Sequence, residues 1–364
     1  MRIGIDGTPL TIPFHCGQRH YLENLIFGLA KIDKRNKYVI FATKKVPIPN
    51  QKNFTLILIA DKFPVFKRQL IMPLVARRQK LDVFHYPDVW RSVFFNFPKA
   101  ITTLHDRAPS SSYPKWYESA KYTFMRKFND FVRSLTLKNS SAVIVPSKFI
   151  AKDAAGLIQS KIPIIPIHHG VSSNFAVIKS IRKNNHFLAM ADFSPRKNIF
   201  RIMEAYSLFL KKRQKKINLY IIISTSDPKK GILNKARELN ILKFIKILED
   251  VSLKQLVALY NKSLCLIYPS LYEGFGLPII EAMACGCPVI TSNYGAMKEV
   301  ADDAAYLVNP RSISQIKNSI EKIAESPKLS EILRERGLKR AKLFSWEKTA
   351  RETLKVYKSV YLNG

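Results

Sequence analysis

Residues Tyr268–Ile290, YPSLYEGFGLPIIEAMACGCPVI, hold the side chains whose types and spacing could do chemistry. The apolar run Leu264–Tyr268 predicts a strand that Pro269-Ser270 ends. A loop then crosses Glu273-Gly274-Phe275-Gly276, and a helix begins near Pro278. Proline suits the first helical turn, where its missing N–H would have had no partner. The two glycines let backbone N–H groups approach a ligand closely, and the helix N-terminus adds partial positive charge. Such a junction is an anion cradle suited to a diphosphate. Glu273 in the loop and Glu281 one turn into the helix would repel phosphates if aimed at them. They suit hydroxyls instead, one on a ribose and one on a sugar ring. A lone G-x-G is weak evidence, because a capped glycine turn uses the same residues. The strand–loop–helix setting with two glutamates favours binding.

The elements that must position this stretch recur along the chain. Its 364 residues have room for two domains, and 47% hydrophobic with 24% charged residues excludes a disordered or collagen-like chain. Strands are predicted at Arg2–Ile5, Tyr38–Phe41, Thr55–Ile59, Asp82–His85, Ala100–Leu104, Ala142–Val145 and Ile164–Ile167. Helices fall near 18–32, 66–79, 116–138 and 148–158. After a polar, basic linker at 171–185 the pattern restarts. Strands follow at Phe187–Ala191, Leu219–Ser224, Ile245–Leu248, Leu264–Tyr268 and Pro288–Thr291, with helices near 198–212, 229–239, 252–261 and 278–285. Helices near 312–325, 329–343 and 346–361 close the chain, with Ser345 a candidate N-cap for the last. Near-continuous apolar strands between helices imply parallel sheets covered on both faces. We therefore expect an α/β chain of two tandem doubly wound domains, 1–178 and 179–345, and a final helix, 346–364, packing back on the first. Ligands of such sheets bind beyond the carboxyl ends of the strands, so a cleft between the domains is the expected site.

The E-x7-E spacing around GFGLPII, followed by EAMACGCPVI, resembles the signature of family 4 retaining glycosyltransferases with the GT-B fold, two Rossmann-like domains facing each other. Within that family the chain looks similar to the MtfB-like group of bacterial O-antigen mannosyltransferases. Matching stretches run almost the whole length: Leu104-His105-Asp106, Val145-Pro146-Ser147, His169-Gly170-Val171, Ser194–Asn198, Ser292–Asp303 and Phe344-Ser345-Trp346. The resemblance implies a hexosyl group, mannosyl favoured, moved with retention from a nucleotide diphosphate sugar, GDP- or UDP-linked. The acceptor would be a lipid-linked or polysaccharide hydroxyl. Glu273 would contact the donor sugar and Glu281 the ribose, while amides of Gly274, Phe275, Gly276 and Leu277 hold the diphosphate. Lys197 would neutralise the leaving group, with Arg196 adding bidentate phosphate contacts. His105 would sit near the reacting carbon, and no metal or other cofactor is implied. Two departures stand out: Asp192 occupies a position that is commonly Arg, and the usual glycine-rich turn reads Gly17-Gln18-Arg19-His20-Tyr21, where Arg19 could reach a phosphate.

Net charge is +33, from 60 Lys+Arg against 27 Asp+Glu, shared about evenly between the halves. Nucleic acid, an anionic membrane surface or a negatively charged substrate would each suit it. No nucleic-acid-binding motif is visible, and Gly4-Ile5-Asp6-Gly7 replaces the G-x-G-x-x-G of a nicotinamide oxidoreductase. Another sugar-nucleotide enzyme of the same fold, such as an epimerase, stays open. Segments 62–80 and 115–138 interleave basic with apolar residues, the second with Tyr117, Phe124, Phe128, Phe131 and Leu135 at helical spacing. We expect these to dock the protein peripherally on the inner face of the cytoplasmic membrane. No apolar run reaches the ~20 residues of a membrane span, and Met1-Arg2 leads straight into a strand, so a cytoplasmic location is expected. Cys16, Cys265, Cys285 and Cys287 form no C-x-x-C pair and read as buried thiols.

Overall fold

The computed structural model describes the chain except residues 13–16, 60–66, 90–91, 93–98, 107–129, 157–161, 182–185, 193, 212–216, 224–226 and 364. The chain divides into two compact units. The first takes the described residues up to Gly170 together with the segment from Ser345 onward, and the second runs from Val171 to Phe344.

The first unit carries β1 (Arg2–Asp6), β2 (Lys37–Ala42), β3 (Phe54–Leu58), β4 (Val83–Tyr86), β5 (Ala100–Thr103), β6 (Ala142–Val145) and β7 (Ile164–Pro166). They form one seven-stranded sheet in the order β3-β2-β1-β4-β5-β6-β7. Every pairing is parallel, with Ile3 level with Tyr38 and Val83, for example. All residues of β4, β5 and β6 are buried, as strands covered by helices on both faces must be. The second unit repeats the plan with β8 (His186–Ala191), β9 (Asn218–Ile223), β10 (Ile245–Leu248), β11 (Leu266–Tyr268), β12 (Val289–Ser292) and β13 (Tyr306–Val308). Their order is β10-β9-β8-β11-β12-β13, again all parallel. In both sheets the strand order reverses beside the first strand, so each has a switch point: between β1 and β4, and between β8 and β11. There the crevice outside the carboxyl ends opens toward ligands.

The expected doubly wound pattern is thus present twice. Among the described strands and α-helices, two went unanticipated. The strand β13 has only three residues, and the helix Gly295–Ala301 opens on a glycine and makes two turns, both too short for a periodic signal. The helix expected at 116–138 lies mostly outside the described residues, as does Cys16; residues 130–138 are helical. Within that stretch Phe131 is 60% exposed while Val132 and Leu137 are buried, so the apolar stripe runs in a different frame from the one expected.

Ser345 caps the last helix, Trp346–Asn363, by accepting the N–H of Lys348 at 3.2 Å. This helix packs on the helix Gly17–Ile32 in the first unit. Gly28 supplies the close approach: a Cβ there would lie 2.8 Å from the carbonyl oxygen of Trp346. The buried His85 ties the helix to the sheet, with its Nδ1 2.7 Å from the Tyr357 hydroxyl and its Nε2 2.8 Å from Thr103 Oγ1. Burial, with His105 nearby, pushes its pKa down to about 3, so it is a neutral structural link at physiological pH. Gly170 is the tightest point, since a Cβ would come within 2.1 Å of the backbone nitrogen of Trp346. Gly170→Ala should therefore destabilise the first unit by about 2–3 kcal/mol or more, read as a lower urea midpoint; an unchanged midpoint would refute the tight contact.

Candidate active site

The second unit's switch point collects the charged residues that the sequence singled out. Asp192 follows β8, and its carboxylate accepts the N–H of Ser194 at 2.7 Å, turning the chain. Ser194 Oγ in turn accepts the N–H of Arg196, opening a single helical turn, Pro195–Lys197. Asn198 ends that turn at φ 61°, a left-handed conformation that asparagine tolerates better than most residues. Its side chain then donates to the carbonyls of Pro269 at 2.9 Å and Pro310 at 2.7 Å. With the backbone bond from Leu271 N–H to the Arg196 carbonyl, 2.7 Å, these contacts stitch the loop after β8 to the loop after β11.

Glu273 lies where the two loops meet. One oxygen accepts from Arg196 Nη1 at 2.7 Å, and the other from Lys197 Nζ and the Tyr268 hydroxyl, both at 2.8 Å. Lys197 also donates to the Tyr268 oxygen at 2.5 Å and sits 4.9 Å from the centre of its ring. Burial alone would raise the Glu273 pKa, but Lys197 and Arg196 outweigh it and hold the carboxyl down to about 2. Burial likewise opposes the charged form of Lys197, and Glu273 raises its pKa in spite of it. All three groups are ionised at neutral pH. Tyr268, the last residue of β11, was not singled out from sequence. A tyrosine closing an apolar strand offers a buried ring and a polar tip, and that was the available signal.

Beyond Glu273 the loop reaches Gly276 at φ 98°, a conformation open to glycine, and the helix Leu277–Ala284 starts there with Pro278 in its first turn. Phe275 is buried and meets Phe344 edge-on at 5.8 Å, which anchors the loop. The first amides of such a helix have no acceptor within it, which leaves Gly274, Phe275, Gly276 and Leu277 around an N-terminus of the kind that holds anions. Glu281 is buried in the same helix, and the hydroxyl of Tyr260 donates to its Oε2 at 3.2 Å. Burial raises its pKa to about 7, with Tyr260 opposing. Asp192 lies 3.8 Å from Arg196, so the acid after β8 is paired to the next cation along.

The remaining candidates belong to the first unit. His105 follows β5, with its Nε2 2.8 Å from the Pro87 carbonyl and its ring 4.8 Å from Tyr21 in an edge-on contact. Burial lowers its pKa. A carbonyl only accepts, so Nε2 carries the proton and Nδ1 keeps its lone pair. Arg19 donates to the Ile12 carbonyl. At this unit's own switch point Arg68 bridges two buried acids, Asp6 at the end of β1 and Asp88 just past β4, a cluster the sequence reading did not find. Its signal was a single acid, Asp6, ending an otherwise apolar strand. Among the described residues no group of three His, Cys, Asp or Glu is placed to hold a metal ion.

Comparison with known proteins fits this geometry. The family model "Glycosyl transferases group 1" matches residues 172–340, which span the second unit's sheet and both of its charged loops. The chain is a glycosyltransferase with a group 1 domain. The O-antigen chain mannosyltransferase B of Escherichia coli is 28% identical over 78% of this glycosyltransferase and 78% of its own length. The MMP alpha-(1->4)-mannosyltransferase of Mycolicibacterium hassiacum is 25% identical over 78% and 72%. Among solved structures, the sucrose-phosphate synthase of Thermosynechococcus elongatus superposes with a TM-score of 0.78 at 21% identity, covering both chains completely. The fold of the glycosyltransferase is accordingly GT-B.

The raised pKa of Glu281 has a consequence for stability. In the unfolded chain its carboxyl titrates near 4.5, and in the folded protein near 7. Between these values the folded state keeps a proton that the unfolded state has lost, so stability falls as pH rises from about 4.5 to 7. Glu281→Gln removes that loss. Urea unfolding should show the variant gaining up to about 3 kcal/mol on wild type at pH 8 and little at pH 4.5; parallel curves would contradict the buried acid.

Proposed function

We propose that this glycosyltransferase moves a hexosyl group, with mannose favoured, from a nucleotide diphosphate sugar to a hydroxyl of a lipid-linked or polysaccharide acceptor in cell-surface glycan synthesis. The observation that carries this reading is the convergence of Arg196, Lys197 and Glu273 at the β8–β11 switch point, ahead of the Gly276 helix N-terminus. Mannose is favoured because both relatives described above are mannosyltransferases by name. The donor is GDP- or UDP-linked.

In the reaction the bond from the anomeric carbon to the diphosphate oxygen breaks. Negative charge then grows on the leaving diphosphate while the sugar takes on oxocarbenium character. Lys197, Arg196 and the amides from Gly274 to Leu277 stabilise that charge more in the transition state than in the ground state. Glu273 accepts from sugar hydroxyls and Glu281 from the ribose. The acceptor hydroxyl attacks from the face the diphosphate leaves, its proton passes to a phosphate oxygen, and the configuration is retained. His105 contributes a neutral imidazole near the reacting carbon. No resident cofactor takes part.

The charge of +33 also supports docking on an anionic membrane surface at the inner face of the cytoplasmic membrane, where each nearby cation contributes about 1 kcal/mol. Leu74, 48% exposed and followed by the exposed Arg77 and Arg78, and Phe131 lie on the two basic segments expected to touch lipid. Tyr117, Phe124 and Phe128, also expected to do so, lie outside the described residues. No helix of the described residues is long and apolar enough to cross a membrane.

Two measurements test these readings. A thermal-shift screen of GDP, UDP, ADP and TDP and their sugars should give selective stabilisation by one base. With the matching donor, Lys197→Ala and Glu273→Ala should each lose about a hundredfold in transfer rate. No stabilisation by any of them would end the donor assignment. In the second measurement, sedimentation with vesicles should show binding to phosphatidylglycerol-containing liposomes that neutral liposomes lack and that weakens as salt rises. Equal binding to both would dispose of the membrane reading.

A further inference from the structure

Glu281 has an asymmetric environment. The residue is buried, 8% exposed, and the one side chain among the described residues that hydrogen-bonds its carboxyl is Tyr260, through Oε2. Tyr260 is fully buried on the helix Leu253–Lys262. Its ring packs 6.0 Å from that of Phe175, and its hydroxyl lies 4.0 Å from the sulfur of Met190 on β8. The phenol is therefore fixed on its sides and points at one carboxyl oxygen, which leaves Oε1 without a protein donor among the described residues.

We propose that Tyr260 is a positioning residue of the donor site, holding Oε2 of Glu281 so that Oε1 is presented to a ligand hydroxyl. The inference rests on the donor reading of the preceding section. A carboxylate gripped at one oxygen has its plane set, and the free oxygen then faces one direction instead of sampling rotamers. The same hydroxyl favours the ionised carboxylate, the form that only accepts, against the burial that favours the protonated acid. The other titratable groups among the described residues facing this pair are the thiols of Cys285, which caps the end of Glu281's own helix, and Cys287 just beyond it. Burial pushes the Cys285 thiol up to about 12, so it stays neutral near pH 7. The neighbouring strands β11 and β12 and the helices Gly295–Ala301 and Pro327–Ala341 bring no charge that shifts Glu281.

The test is calorimetric binding of an intact sugar nucleotide, GDP-mannose or UDP-glucose, whichever wild type binds more tightly, from pH 6 to 8.5. Both phosphates of such a donor are esterified, so it lacks the phosphate monoester group that titrates near pH 6. Wild type should gain about tenfold in affinity as pH rises through 7, and Glu281→Gln should flatten the profile. Tyr260→Phe, which removes one oxygen and no volume that packs, should move the midpoint to higher pH. At pH 7 it should raise the donor KM about tenfold with kcat within about twofold. In the Glu281→Gln background the same substitution should change affinity by less than about twofold. If Tyr260→Phe leaves midpoint and KM unchanged, or weakens both backgrounds equally, the tyrosine is only structural and the inference fails while the donor reading stands. A wild-type affinity that is flat with pH defeats the inference without a variant. If wild type binds neither donor, the reading and the inference fail together.

Discussion

A buried carboxylate between two cations organises the second unit of this glycosyltransferase. Removing Glu273 from water would raise its pKa if it stood alone, and Lys197 with Arg196 reverses the sign. That pairing joins the loop after β8 to the loop after β11 and sets both cations at the switch point. Buried ion clusters contribute less to stability than their contacts suggest, because desolvation offsets the attraction. What they contribute is placement. On the proposed reading a diphosphate entering here finds Arg196 and Lys197 already desolvated and already paired. It replaces one anionic partner by another, and the displaced oxygens of Glu273 become available to sugar hydroxyls. Phosphate and sugar recognition are then coupled through one side chain.

The two glutamates of the E-x7-E spacing end in opposite electrostatic states. Glu273 is held down to about 2 by its cations, whereas Glu281, with a tyrosine and no cation, is pushed up to about 7. Identical residue types eight positions apart in one motif thus differ by the company of neighbouring elements, and such divergence is how sites assign different tasks to like groups. Neither value follows from the motif, since the partners Lys197, Arg196 and Tyr260 come from two other segments.

That division also describes what the chain alone reveals. Alternating apolar runs and amphipathic stretches were enough to read out the repeated α/β plan, because strands such as Ala142–Val145 are buried on both faces and carry no polar interruption. The glycine loop, both glutamates and the Arg196-Lys197 pair were legible because each is local, a few residues inside a strand–loop–helix frame. The strand Tyr306–Val308 and the helix Gly295–Ala301 were not, since three or seven residues are too few to establish a period. Tyr268, Tyr260 and the Asp6–Arg68–Asp88 cluster were invisible for another reason. Their roles depend on partners five to 71 positions away, most of them brought together by the sheet order.

Asp192 shows how such long-range partners alter the meaning of a position. An acid in a loop expected to meet a diphosphate looks hostile to it. Its carboxylate is spent on the Ser194 N–H and on Arg196, so it shapes the loop and orients that cation. The consequence is a site whose fixed charges nearly cancel: Arg196 and Lys197 against Glu273 and Asp192, with Glu281 half-neutral near pH 7. On the proposed reading, local attraction for an anionic donor is accordingly modest, and it falls to the helix N-terminus and to exchange within the ion cluster. Long-range attraction is a separate matter, supplied by the +33 charge of the whole chain. A field of that origin raises the local concentration of anionic donor or lipid and is weakened by salt, while the cluster, being buried, is screened far less. On the proposed reading, capture and discrimination are thereby separated: the surface draws anions in, and the paired interior selects the one that can take over the partners of Glu273.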